Sequence, residues 1–414
     1  MDCHHISSVA IRKAVSSFFL RNNIQCPENT EKYIVREAFG TLPYWAPHVR
    51  GSRFEDTIGN GILYRPEIVN AVCNEISQAL TSEVRRGVMM KGPQGVGKSH
   101  SLVNTVLKLQ STSSYLVTFI PDCAWWNTAS NLVSMICASF DSDPESLGFN
   151  LWEEVLPEAL EKFIDVIDDE LAALGKQWVF VFDQINKLFV KPMNRNAMDA
   201  AGLAFPFYYI KDVLKPKRIT SVISASANNE LAYKESHEGF QEYIHRTGMT
   251  VNELCLAFGS INETNAGQVM DTTGGVPLYS RMYAEDPDNF QEEINSSVLH
   301  SLDRLRELKL HDWRQIQESI LSSIFGTKCG AEKYDKKFLV LEVSVADRTH
   351  KQYSPLFPAV LAAYRKHLWP EIMQYVDDKE LHLLEVCRSP DTTNDTRGRI
   401  FEHIVIRRCQ SLWR

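Results

Sequence analysis

Between about residues 61 and 260, short apolar runs alternate with longer segments whose apolar positions recur at helical spacing. The runs Gly87–Met90, Tyr115–Ile120, Trp178–Phe182 and Thr220–Ala225 predict buried strands, and Leu254–Phe258 predicts a fifth. Helices are predicted over 99–110, 129–140, 152–174 and 198–214. In the third of these, Trp152, Val155, Ala159, Phe163, Val166 or Ile167, and Leu171 share one face, and Gly175 supplies a stop. Strand and helix in alternation point to a parallel sheet with crossover helices, whose strand order the pattern does not reveal. Upstream, Ser7–Leu20 reads as a helix, and Gly51-Ser52-Arg53 and Gly59-Asn60-Gly61 read as turns. After 260 the texture turns helical, with Asn262–Asp271, Leu278–Ala284 and one or two helices across Phe290–Phe325. A last section carries one strand candidate, Lys337–Val345, followed by helices.

These shifts divide the 414 residues into an N-terminal region (1–60), an α/β core (61–260), a helical lid (261–325) and a smaller C-terminal α/β or helical domain (326–414). Apolar residues make up 44% of the chain, enough for a sizeable core. No apolar run reaches the ~18 residues of a membrane span, and Met1–His5 lacks the basic flank and apolar stretch of a secretory signal. Nine scattered cysteines without a C-x-x-C pair argue against a disulfide framework or a zinc site. An intracellular, reducing compartment and no membrane partner are therefore expected. The net charge of −8 is concentrated between Asp141 and Glu170, where eleven acidic residues face Lys162 alone. That segment reads as a solvated helix face.

The chemistry begins at Gly92-Pro93-Gln94-Gly95-Val96-Gly97-Lys98-Ser99, a complete G-x-x-x-x-G-K-[ST] loop between a predicted strand and a predicted helix. A glycine turn at a helix N-terminus aims main-chain N–H groups and the positive end of the helix dipole at a phosphate chain. Lys98 would reach the β- and γ-phosphates, the Ser99 hydroxyl would hold Mg²⁺, and His100 closes the cofactor-binding segment. Trp178-Val179-Phe180-Val181-Phe182-Asp183 supplies the second requirement, a buried strand ending in an acid, so Asp183 is the other expected Mg²⁺ ligand. The next residue is Gln184 where many additional-strand ATPases carry Glu. A neutral amide orients water but accepts no proton, so slow or partner-dependent hydrolysis is expected. Asp122 and Glu230 are weaker candidates for a base.

The strand at 220–225 leads into Ser226 and Asn228, either of which could touch the γ-phosphate or the attacking water. Downstream, Thr273-Gly274-Gly275-Val276-Pro277 enters a helix that carries Arg281, a candidate phosphate contact. Arg246 could act on a neighbouring subunit's nucleotide if the chain forms a homo-oligomer. Arg397, Arg399, Arg407, Arg408 and Arg414, with Phe401 and Trp413, form a basic end that makes DNA a second candidate partner.

Together these motifs resemble the AAA+/STAND branch of the P-loop ATPases across about 61–285. More narrowly, the chain resembles the ATPase module of Crinkler effectors and retrotransposon hot spot proteins. The residues carrying that resemblance are Phe182-Asp183-Gln184-Ile185-Asn186, Ile120-Pro121-Asp122 with Trp125-Trp126, and Gly398-Arg399-Ile400-Phe401-Glu402. The loop, Asp183 and Gln184 lead us to expect a three-layer P-loop core that binds ATP with Mg²⁺ and acts as a nucleotide-controlled switch; the resemblance implies action in a host cytoplasm or nucleus, with DNA or a nuclear protein as partner. Members often carry a nuclease-like or kinase-like effector domain. Here the 339–345 strand offers Glu342-Val343-Ser344 without the required lysine, so nuclease activity is not expected. The competing classes are an ATP-gated DNA-binding effector and a non-enzymatic interaction protein with structural ATP.

Overall fold

The computed structural model describes residues 7–21, 24–34, 61–82, 87–121, 123, 129–150, 155, 157–185, 219–224, 240–244, 248–342 and 351–412. The chain divides into two units. The first comprises Met1–Lys91 and Gly97–His245, and the second Gly92–Val96 and Arg246–Arg414.

In the first unit, helix α1 (Ser8–Arg21) and the short antiparallel pair β1 (Lys32–Tyr33) and β2 (Ile62–Leu63) precede α2 (Pro66–Thr81). There follow β3 (Gly87–Lys91), α3 (Lys98–Ser111), β4 (Tyr115–Ile120), α4 (Ala129–Ser139), α5 (Pro157–Ala173), β5 (Gln177–Phe182), β6 (Ile219–Ser224) and β7 (Phe240–Ile244). Five strands form one sheet in the order β4-β5-β6-β3-β7, and every pairing is parallel.

Both faces of the sheet are covered, which is why its strands read as unbroken apolar runs. Side chains alternate along each strand. Trp178, Phe180 and Phe182 join Met89, Leu116 and Ile120 in a core with α1, α4 and α5. Val179 and Val181 join Val88, Met90 and Val117 in a second core with α2 and α3. The result is a three-layer α/β sandwich. Truncating a fully buried ring such as Phe180 would cost about 3–5 kcal/mol.

The expected fifth strand is placed differently. Leu254–Phe258 falls largely in helix α6 (Val251–Ala257), fixed by a capping box in which Thr250 Oγ1 accepts from the Glu253 N–H and the Glu253 carboxylate accepts from the Thr250 N–H. The sheet's fifth strand is β7, whose Gln241 and Glu242 interrupt its apolar sequence.

In the second unit, α6 is followed by α7 (Ala266–Thr273), α8 (Pro277–Glu285), α9 (Phe290–Arg306) and α10 (Leu310–Phe325). A small antiparallel sheet of β8 (Lys328–Cys329), β9 (Leu339–Glu342) and β10 (Lys351–Pro355) has the order β8-β10-β9. Helices α11 (Pro358–His367), α12 (Trp369–Arg388) and α13 (Asn394–Leu412) complete it. One apolar core joins α8, α9 and α10 to α11, α12 and α13, and includes Val96. No described helix is long and apolar enough to cross a membrane.

Candidate phosphate-binding site

The register of the parallel sheet brings the C-terminal strand ends to one edge. Met90 pairs with Ser224, and Ile223 pairs with Phe182, the residue before Asp183. The strand that feeds the loop and the strand that ends in Asp183 are not neighbours; β6 lies between them. This is the arrangement of a P-loop ATPase core with an additional strand.

Three loop glycines hold backbone conformations that other residues adopt at a cost. Gly92, Gly95 and Gly97 have φ of 149°, 83° and 96°. Gly97 is the N-cap of α3 in the left-handed region and offers no side chain to cap the helix. Its carbonyl accepts the Ser101 N–H at 2.9 Å, the first bond of the helix. The N–H groups of the first turn have no partner within the helix, which suits them to an anion, and that turn contains no acidic residue to compete. Lys98 is the first residue of α3 and Ser99, only 8% exposed, the second.

Asp183 is 1% exposed and is held through its main chain and one carboxylate oxygen. Its N–H donates to the Ile120 carbonyl at 2.8 Å, and its own carbonyl accepts from the Cys123 N–H at 3.1 Å. Carboxylate oxygen Oδ1 accepts the Gln184 N–H at 2.8 Å and a short hydrogen bond from Ser224 Oγ. Gln184 itself has φ of 56°, an unusual conformation for a residue with a side chain. A hydroxyl at Ser99 and a carboxylate at Asp183 are hard oxygen donors of the kind Mg²⁺ takes alongside phosphate oxygens and water. Among the described residues no group of three His, Cys, Asp or Glu side chains could hold a metal by itself.

In the second unit, the crown of the loop meets helix α8. The Gly95 carbonyl accepts the Leu278 N–H at 3.3 Å, and a Cβ built on Gly95 would lie 2.7 Å from Leu278 Cβ. Arg281, a candidate phosphate contact, pairs along the helix surface with Glu285 at 2.8 Å and is half exposed. Ser226, Asn228, Asp122, Glu230 and Arg246 lie outside the described residues. Ser224 is a functional candidate that the sequence does not announce, because the expected polar residue lies beyond the strand end and Ser224 is the strand's last position.

The basic end is largely neutralised by neighbours. Arg399 pairs with Asp395, Arg407 with Asp377 and Arg408 with Glu380. The hydrogen bond from Arg407 holds the Asp377 carboxyl below its ordinary range. Arg397 donates to the Ser389 carbonyl at 2.7 Å, while Arg414 lies outside the described residues.

No family model matches the chain, and no curated protein sequence does. Solved structures to which it is similar include the Aeropyrum pernix ORC1 protein in complex with DNA, at 15% identity over 74% of this chain and 93% of that one, with a TM-score of 0.32. The Aeropyrum pernix ORC2 protein in its ADP form is similar at 11% identity over 74% and 94%, with a TM-score of 0.36. CDC6P from Pyrobaculum aerophilum is similar at 12% identity over 75% and 95%, with a TM-score of 0.32. Similarity at this level says nothing of what this chain binds. The strand order and the glycine loop define the fold.

Proposed function

We propose that this chain is a Mg²⁺-dependent, ATP-binding ATPase of the AAA+ type that turns over slowly and acts as a nucleotide-controlled switch. The observation that carries this reading is the glycine-led start of α3, with positive φ at Gly92, Gly95 and Gly97, on the same sheet edge as the buried Asp183. Lys98 and the loop amides bind and orient the phosphates, and Ser99 and Asp183 hold the ion. When bound, Mg²⁺ neutralises charge on the phosphate oxygens. Gln184 orients water without accepting its proton, which favours a long-lived ATP state. Turnover measured with and without DNA, over a range of protein concentrations, tests the reading. Slow hydrolysis that rises in Gln184→Glu supports it. Turnover already fast in the natural chain and unchanged by that substitution contradicts it.

A DNA-engaging role is less favoured, because three of the terminal arginines already pair with carboxylates. The likeness to Crinkler effectors supports a finer reading, a switch module inside a host cytoplasm or nucleus. Its support is the motifs at 120–126, 182–186 and 398–402 alone. Tracking the tagged chain in a host cell tests it: exclusion from both compartments overturns it.

A further inference from the structure

We infer that Asp335 is a positioning residue for the phosphate loop, acting through the main chain of the 335–338 turn on Gln94. The inference rests on the nucleotide reading above, and every residue in it belongs to the second unit.

Asp335 is completely buried, a costly place for a carboxylate unless its oxygens are occupied. They are. Oδ2 accepts from Ser301 Oγ on α9 at 3.2 Å and from the Tyr364 hydroxyl on α11 at 2.9 Å. Oδ1 accepts the Lys337 N–H at 3.0 Å. The Asp335 carbonyl accepts the N–H groups of Phe338 at 3.2 Å and Leu339 at 2.8 Å. One residue thus ties two helices to a turn and to the start of β9.

The turn's far side faces the loop. The Lys337 carbonyl accepts the Gln94 N–H at 3.3 Å. Lys337 has little freedom to move away, since its Nζ donates to Ser297 Oγ at 2.9 Å and lies over the Phe338 ring. The next residue of the loop, Gly95, meets α8. That helix begins with Pro277, which has no N–H, and its N-cap Val276 provides no side-chain cap. The Leu278 N–H therefore needs a partner from outside the helix, and the Gly95 carbonyl provides it at 3.3 Å.

The consequence follows from the planar trans peptide. With the Gly95 carbonyl turned toward Leu278, the Val96 N–H of the same peptide must point the opposite way. The Gln94 N–H is committed to Lys337, so an anion is left to the amides from Gly95 onward. Asp335 therefore acts, through Lys337, to withhold the Gln94 amide from a phosphate, although the chain places it 241 residues beyond Gln94.

Hydrogen exchange and ATP binding of Asp335→Asn and the milder Tyr364→Phe test this. In the protein without nucleotide, the peptide covering 92–97 should exchange about fivefold faster in both variants, while α10 in the same unit exchanges as before. The Kd for Mg·ATP should rise about tenfold in Asp335→Asn. Loop and α10 accelerating together, or a loop rate unchanged in both variants, would overturn the inference. The exchange readout needs no nucleotide, so a chain that bound no ATP would remove the functional reading while the exchange result still decided the role of Asp335.

Discussion

Ser224 Oγ and the Gln184 N–H converge on one oxygen of Asp183, from the neighbouring strand and from the next residue along. Two donors on Oδ1 fix the carboxylate's rotation at the sheet edge. Ser224→Ala removes the donor from β6 and should cost about 1–3 kcal/mol of stability, because a buried charged acceptor loses one of its two donors. It should also raise the Mg²⁺ concentration needed for half-maximal ATP binding several-fold. A Mg²⁺ titration in which the two proteins coincide would contradict this role.

Gln184 sits at φ 56°, a conformation that costs a side-chain-bearing residue roughly 1–2 kcal/mol. Gln184→Gly should therefore raise the thermal midpoint of the first unit while lowering turnover. A fall in the midpoint would mean the strain is absent.

Gly95 and Gly175 form a matched pair. Both have positive φ, at 83° and 65°, but a Cβ on Gly95 would strike Leu278 whereas one on Gly175 meets nothing within 4 Å. Gly175→Ala should cost about 1 kcal/mol with ATP affinity intact. Gly95→Ala should weaken ATP binding about tenfold or more. Equal effects on binding, measured by isothermal titration, would break the distinction.

His403 gives the second unit a pH dependence. It is 1% exposed, lies against the rings of Phe325 and Trp369, and neither ring nitrogen hydrogen-bonds a described residue. Burial first, and then Arg365 opposed by Glu402, hold its pKa below the ordinary 6.5. The unfolded chain therefore binds the proton more readily, so the contribution is full above about pH 6.5 and declines as pH falls toward the folded value. Thermal melts should show the second unit losing stability as pH falls from about 7.5 to about 5.5, and His403→Phe should remove part of that loss. An identical slope in the variant would assign the dependence elsewhere.

Much of the first unit is legible in the sequence because a parallel strand buried on both faces writes an unbroken apolar run, as at Tyr115–Ile120. Gln241 and Glu242 hide β7, and the apolar Leu254–Phe258 misleads because the signal that matters is the cap, Thr250 with Glu253. The loop and Asp183 announce themselves because their chemistry requires fixed neighbours along the chain. Ser224 and Asp335 do not, since their roles depend on partners 41 and 34 residues away, at Asp183 and Ser301.

Titration of the full chain and of Lys98→Ala with a fluorescent ATP analogue, in the presence and absence of Mg²⁺, probes the loop most directly. Saturable binding that strengthens with Mg²⁺ and is lost in Lys98→Ala is the expected result. Affinity that survives the substitution, or no binding by the natural chain, would show that the amides of Gly92–Ser99 do not hold a triphosphate.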